Sequence, residues 1–240
     1  MKENLNPSIK SSSGQLTATG ESAALVANIP DNKVDMAHQI FESSIKRAEN
    51  LHTINKDSNG KKLKIAKDKL LDSYRAVIVL SISALDAYIK TYLISEIKKR
   101  INERNLTKEL KAYIKDELFT KETLYNVVLE PNFIDQVIEK FEADFEKRSF
   151  QGQKSIDKYM KLAGIDQVFK EITKSANVSQ DNLLSNVEKY TQMKHKIVHC
   201  GDHDLTQTEL TENKISESDA KECINLVKLI ANEIHKLSLK

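Results

Sequence analysis

Residues 190–201 read Tyr-Thr-Gln-Met-Lys-His-Lys-Ile-Val-His-Cys-Gly, which sets the imidazoles of His195 and His199 among the ammonium groups of Lys194 and Lys196. An imidazole titrates near neutral pH, so it can take a proton from one oxygen and return it to another. Cutting RNA through its own 2′-hydroxyl needs that proton transfer, and His199 is placed to supply it. The second requirement is a cation for the charge that builds on the phosphoryl oxygens. Lys194 fills that role, helped by Lys196 or by the other subunit of a dimer. Such a scheme needs no metal and no cofactor. Lys194 and His199 are five residues apart, about 140° on an ideal helix, so they flank a shared target without forming one stripe.

Two other readings compete with this one. Cations and a histidine at a helix C-terminus interact favourably with the carbonyl end of the helix dipole and cap its last free carbonyls. Alternatively, His195, His199 and His203 are spaced four and four, with Cys200, Asp202 and Asp204 as further ligands for a transition metal. Gly201 should end the helix before His203, however, and no Glu follows His195 to make a His-Glu-x-x-His pattern. The metal site is the weakest of the three readings, and residue types alone favour the capping role over the catalytic one.

These groups need a helix to hold them. From about residue 181 to 199, Leu183, Leu184, Val187, Tyr190, Ile197 and Val198 recur near spacings of three, four and seven, one buried helical face. Gly201 then supplies a residue that tolerates positive φ just past the helix end. A second and longer pattern runs without Gly or Pro from Leu63 to about Arg104. Its middle, through Ala76, Val77, Ile78, Val79, Leu80, Ile82, Ala84 and Leu85, is apolar on nearly all sides, as expected of a central post. Asp86 and Tyr88 interrupt that post, and a buried carboxylate must be paired or protonated. Asp86 therefore either orients His199 or Lys194 or sits partly exposed at a helix edge. Tyr74 and Arg75, about three turns earlier, line the same cleft or face solvent.

The remaining elements are helical too. Val34, Ala37, Ile40, Phe41, Ile45, Ala48 and Leu51 trace a first helix over residues 33–53. Residues 107–177 divide into five short helices, 107–119, 120–129, a Pro131-started helix to 145, 155–163 closed by Gly164, and 166–175; they read as an inserted layer. Ser216 with Asp219 fits a capping pattern that opens the last helix. Residues 1–32 mix Ser, Thr, Asn and Gly without periodicity and are expected to form a disordered tail, leaving residues 33–240 as the folded domain. Six Gly and three Pro in 240 residues are too few for an all-β chain. The expected fold is all-α: a helical bundle with a long central helix.

The totals narrow the function classes. With 37 Lys+Arg against 35 Asp+Glu, nucleic-acid affinity must come from a local patch. The runs Lys61-Lys62-Leu63-Lys64-Ile65-Ala66-Lys67-Asp68-Lys69 and Lys98-Lys99-Arg100 are candidates, with a charged solvent face as the ordinary alternative, and neither carries the interleaved aromatics of a base-stacking platform. Two cysteines, Cys200 and Cys223, imply no disulfide framework and point to a reducing, cytoplasmic setting. No apolar N-terminal run supports a signal peptide. The apolar stretch from Ala76 to Ile94 approaches a membrane span, but Asp86 and Lys90 inside it favour a helix buried in a bundle.

Taken together, Ala84-Leu85-Asp86-Ala87-Tyr88 in the long helix, Lys194-His195-Lys196-Ile197-Val198-His199 at a later helix end, and residues 215–222 opening the last helix resemble the HEPN superfamily, in its RiboL-PSP-HEPN branch. The stretches that carry the likeness are residues 34–106 and 177–239. The resemblance implies a bundle that dimerises through its motif helices and acts as a metal-independent endoribonuclease in toxin or anti-phage systems. By position, His199 matches the family histidine, His195 the polar position, Lys194 the arginine and Asp86 the acidic residue of the earlier helix. RNA is then the expected substrate, and a regulatory protein a further partner. Lys194 is a departure: arginine grips phosphate with a planar fork, whereas lysine is a compact point charge. That replacement leaves a second expectation open, a noncatalytic HEPN-like module that binds RNA or protein.

Overall fold

The apolar spacing of the first helical segment produces α1 (Lys33–His52), which buries Ala37, Phe41, Ile45 and Ala48 along one face. The computed structural model describes residues 33–56, 60–202 and 213–239; the expected tail over residues 1–32 lies outside them. The long helix α2 (Lys67–Asn102) has 36 residues, which makes it about 54 Å in length. It begins four residues later than the apolar pattern predicts. Gly60 turns the chain at φ +76°, Lys56 bridges Lys62, and the Leu63 N–H pairs with the Asn55 carbonyl at 2.6 Å, so residues 61–63 are extended instead.

Two further long helices, α8 (Gln180–Cys200) and α9 (Glu217–Ser238), complete a four-helix bundle with α1 and α2. Ring contacts pair Phe41 with Tyr88 and His52 with Tyr74, so α1 and α2 run antiparallel. His38 against His235 and Glu49 against Lys228 set α9 antiparallel to α1. Arg75 against Asp202 places the end of α8 beside the early part of α2. The expected post is real: Tyr74, Val77, Ile78, Ile82, Leu85, Tyr88 and Ile89 of α2 are all buried.

Between α2 and α8 come α3 (Lys108–Tyr113), a π-helical turn (Ile114–Leu118), α4 (Lys121–Val128), α5 (Phe133–Glu146), α6 (Gln153–Met160) and α7 (Val168–Ala176). The chain is all-α, and no strand occurs among the described residues. Thr107, Thr120, Ser179 and Ser216 each cap a helix through the side chain, and Ser216 with Asp219 forms the anticipated capping box. Pro131 stands in a turn that precedes α5 rather than at its first position. Tyr113, Phe141, Phe145, Phe150 and Tyr159 pack edge-to-face and stacked into an aromatic core for these shorter helices. Aromatic pairs at such separations contribute about 0.5–1.5 kcal/mol beyond their buried area. That core fixes Phe150 against α2, which matters for the site below.

Candidate functional site

The end of α8 is held by backbone and side chain together. Gly201 and Asp202 both take left-handed conformations, φ +59° and +60°, and both donate their N–H to the Lys196 carbonyl. Gly is suited to such a φ, and Asp tolerates it better than most residues. The Asp202 side chain turns inward, where it is almost fully buried and accepts the Arg75 Nε–H at 2.6 Å. Arg75 also reaches Asp72 at 3.1 Å. Asn213 closes the loop that leaves α8: its N–H donates to the Asp202 carbonyl at 2.9 Å, and its Nδ2 reaches the same oxygen and the carboxylate. A buried pair between Arg75 of α2 and Asp202, just past the end of α8, thus fixes where the last turn of α8 points.

On that last turn the two imidazoles meet. His195 and His199 are exposed, one turn apart on the same face, with ring centroids 4.6 Å apart at 44°. Lys194 lies on another side of the helix, half-buried, and its Nζ donates to Gln151 Oε1 at 3.1 Å. Thr191 Oγ1 donates to the Gln151 carbonyl at 3.1 Å, so Gln151 is held by α8 through both its main chain and its side chain. Within one chain, therefore, His199 and His195 converge and Lys194 does not join them. Along α8, the lysine closest to His199 by helical position is Lys196, three residues back and about 60° round the helix.

Asp86 does not touch His199 or Lys194, contrary to the pairing considered from sequence. Its Oδ1 accepts the N–H of Phe150. Phe150 is fully buried in the aromatic core, so its N–H is cut off from water against α2 and requires an acceptor. Asp86 is partly buried and supplies it. The next residue in the chain is Gln151, so Asp86 is linked to Lys194 indirectly, through the backbone of residues 150–151.

Several groups weighed from sequence have structural partners. Lys98 pairs with Glu142 and Lys90 with Glu146, which ties that end of α2 to α5, while Arg100 pairs with Glu96 one turn back on α2 itself. Among the proposed metal ligands, His195 and His199 share a face, but Asp202 is engaged by Arg75, and His203 and Asp204 lie outside the described residues. Among the described residues no group of three His, Cys, Asp or Glu side chains is placed to hold a metal ion. Tyr190 is buried and donates to Glu222 at 2.9 Å; burial first, and then that carboxylate, push its phenol above the usual range. Lys189 pairs with Asp219 at 2.8 Å, tying α8 to the first turn of α9.

Sequence reasoning missed Gln151, the structural role of Arg75 with Asp202, and Asn213. Gln151 is 43 residues from its partner Lys194, and nothing in its local pattern marks it. Asp202 was a readable signal: an acid directly after a capping Gly, opposite an Arg in a long apolar helix.

The HEPN-type RiboL-PSP-HEPN family model matches residues 40–239, a span that includes residues 107–177 as well as the motif helices. No curated protein and no solved structure matches the chain. With five-sixths of its length inside one family's span, an all-α bundle, and the Lys-His-x-x-x-His motif at a capped helix end, the chain belongs to the RiboL-PSP-HEPN family.

Proposed function

We propose that this chain is a metal-independent endoribonuclease whose reacting groups are His199 and His195. The 2′-oxygen attacks the adjacent phosphorus, its proton passes to one imidazole, and the departing 5′-oxygen receives a proton from an imidazolium, leaving a 2′,3′-cyclic phosphate. The observation that carries the reading is the exposed His195–His199 pair, ring centroids 4.6 Å apart, on a helix end locked by Gly201 and the Arg75–Asp202 pair. Membership of a HEPN-type family supports it. Lys196 and Lys194 are the cations for the phosphoryl charge, and Asp86 positions Lys194 through residues 150–151.

A homodimer through the motif helices is part of the proposal. Leu80 on α2 and Val198 on α8 are 37% and 48% exposed, apolar side chains that a second copy would cover. The family likeness and two cysteines without a disulfide support a cytoplasmic role in a toxin or anti-phage system under a regulatory protein.

The test is His199→Ala assayed with mixed RNA in the presence of chelator. Wild type should release fragments with 2′,3′-cyclic phosphate ends, and the variant should release none while keeping its helical spectrum and oligomeric state. Full cleavage by the variant rules out the assignment. A second reading, a noncatalytic module that binds RNA or protein, draws on the attachment of Lys194 to Gln151, away from His199. Wild-type protein that binds RNA without cutting several different substrates favours it.

A further inference from the structure

The flank of α8 opposite Gln151 bounds a cleft of about 510 Å³ that reaches Lys196, one turn before His199, and is walled by Lys189, Gln192, Met193 and Lys196 on one side and Asn213 and Lys214 on the other. Ligand sites span roughly 300–1,000 Å³, so this space suits one nucleotide unit. The charges in its walls are unevenly committed. Asp202 is neutralised by Arg75, and Asp219 by Lys189. Glu188 accepts from Gln192 at 2.6 Å and lies eight residues, about 12 Å along the helix, from Lys196. Lys196 and Lys214 are exposed and have no ion-pair partner among the described residues. The end of the cleft nearest His199 is therefore its positive end.

Position on the helix strengthens this. Residues three apart on a helix stand about 5–6 Å apart at Cβ, so Lys196 adjoins His199. Lys194, about 140° from His199, is turned toward Gln151. Met193 offers an apolar contact within the same cleft.

We infer that Lys196 and Lys214 form a phosphate subsite, which holds the nucleotide next to the one reacting at His199 and so directs an RNA strand along the outer flank of α8. The chemistry recognised is a phosphodiester on a flexible strand: two mobile ammonium groups at opposite walls attract phosphate as point charges without base readout. The inference rests on the ribonuclease reading for the identity of the strand, and its test separates the two.

The experiment measures binding of a fully 2′-O-methylated oligoribonucleotide, which cannot be cut, by fluorescence anisotropy over a series of salt concentrations. The full chain is compared with Lys196→Gln/Lys214→Gln, with Lys194→Gln and with Lys170→Gln as a distant charge control. The double variant should lose at least tenfold in affinity at low salt. The slope of log K against log salt should shrink by about 0.7, since each phosphate contact on a single strand contributes about 0.7. The Lys170→Gln protein should match wild type. A slope lost in Lys194→Gln but kept in the double variant overturns the inference, because the strand then passes Gln151. Uridine monophosphate competing as strongly as the oligonucleotide overturns it too, because the cleft is then a mononucleotide site. If wild type cuts no RNA yet the double variant loses the slope, the subsite stands and the nuclease reading falls. If the double variant binds and cuts like wild type, the subsite falls together with the catalytic role of Lys196, and the histidine assignment stands with Lys194 as its cation.

Discussion

Arg75→Ala tests the idea that one ion pair sets the end of α8. The Arg75 and Asp202 side chains are 13% and 4% exposed, with Nε and Oδ2 2.6 Å apart. Removing one partner of a buried pair leaves the other charge uncompensated, at about 3–5 kcal/mol. Asn213 still donates to the Asp202 carboxylate at 3.2 Å, and Arg75 also serves the exposed Asp72, so the lower end applies, about 3 kcal/mol. For a domain near 200 residues each kcal/mol shifts Tm by about 2–4 °C, so Tm should fall by about 6–12 °C. Thermal and urea unfolding followed by helical circular dichroism measure it. Hydrogen exchange at the Gly201 and Asp202 amides should quicken more than exchange in the middle of α2. Asp202→Asn keeps the left-handed backbone and removes the stranded charge, so the double variant should regain part of the loss, with a coupling of at least about 1.5 kcal/mol. A Tm fall under about 2 °C, or a coupling within the usual 0.3–0.5 kcal/mol of additivity, refutes the reasoning.

Asp86→Ala strands the buried Phe150 N–H and should cost about 1–3 kcal/mol, with Asp86→Asn milder because its amide oxygen still accepts; equal losses in urea melts would refute the backbone role. The His38 imidazole, stacked 4.3 Å from that of His235, is held below its ordinary 6.5 by burial first and by His235 next, against the opposing pull of Glu42 and Asp35. The folded state therefore binds fewer protons there: the contribution is complete above 6.5 and is lost as pH falls through the lowered folded value. The urea midpoint should drop between pH 7 and about 5 and drop less in His38→Gln; a midpoint that rises over that range contradicts it. Burial pushes the Cys223 thiol up to about 12, whereas Cys200 is only half-buried, so native protein should take up one equivalent of maleimide quickly and the second only on unfolding. Two equivalents reacting at the same rate would show that the α2–α9 contact is open.

The helices were legible because their causes are local. The spacing of Phe41, Ile45 and Ala48, the Ser216–Asp219 box and Gly201 are each a few residues long, and each appears where the pattern places it. The pairing of His195 with His199 was also legible, since residues four apart on a helix share a face whatever the rest of the chain does. Boundaries were less so: the π turn after Tyr113 and the late start of α2 depend on where backbone N–H groups find acceptors, as Leu63 does on Asn55.

What sequence alone determined, then, is the all-α class, the end of α8 and the identity of the imidazole pair, because hydrophobic period, capping and helical pitch are properties of neighbouring residues. What Lys194 binds, and what Asp86 serves, were decided only by tertiary structure. Lys194 turns to Gln151 and Asp86 to the Phe150 N–H across separations of 43 and 64 residues. Those contacts exist because the aromatic core of the short helices seats residues 150–151 against α2 and α8, and a buried N–H or a half-buried ammonium takes whichever acceptor the packing brings within reach.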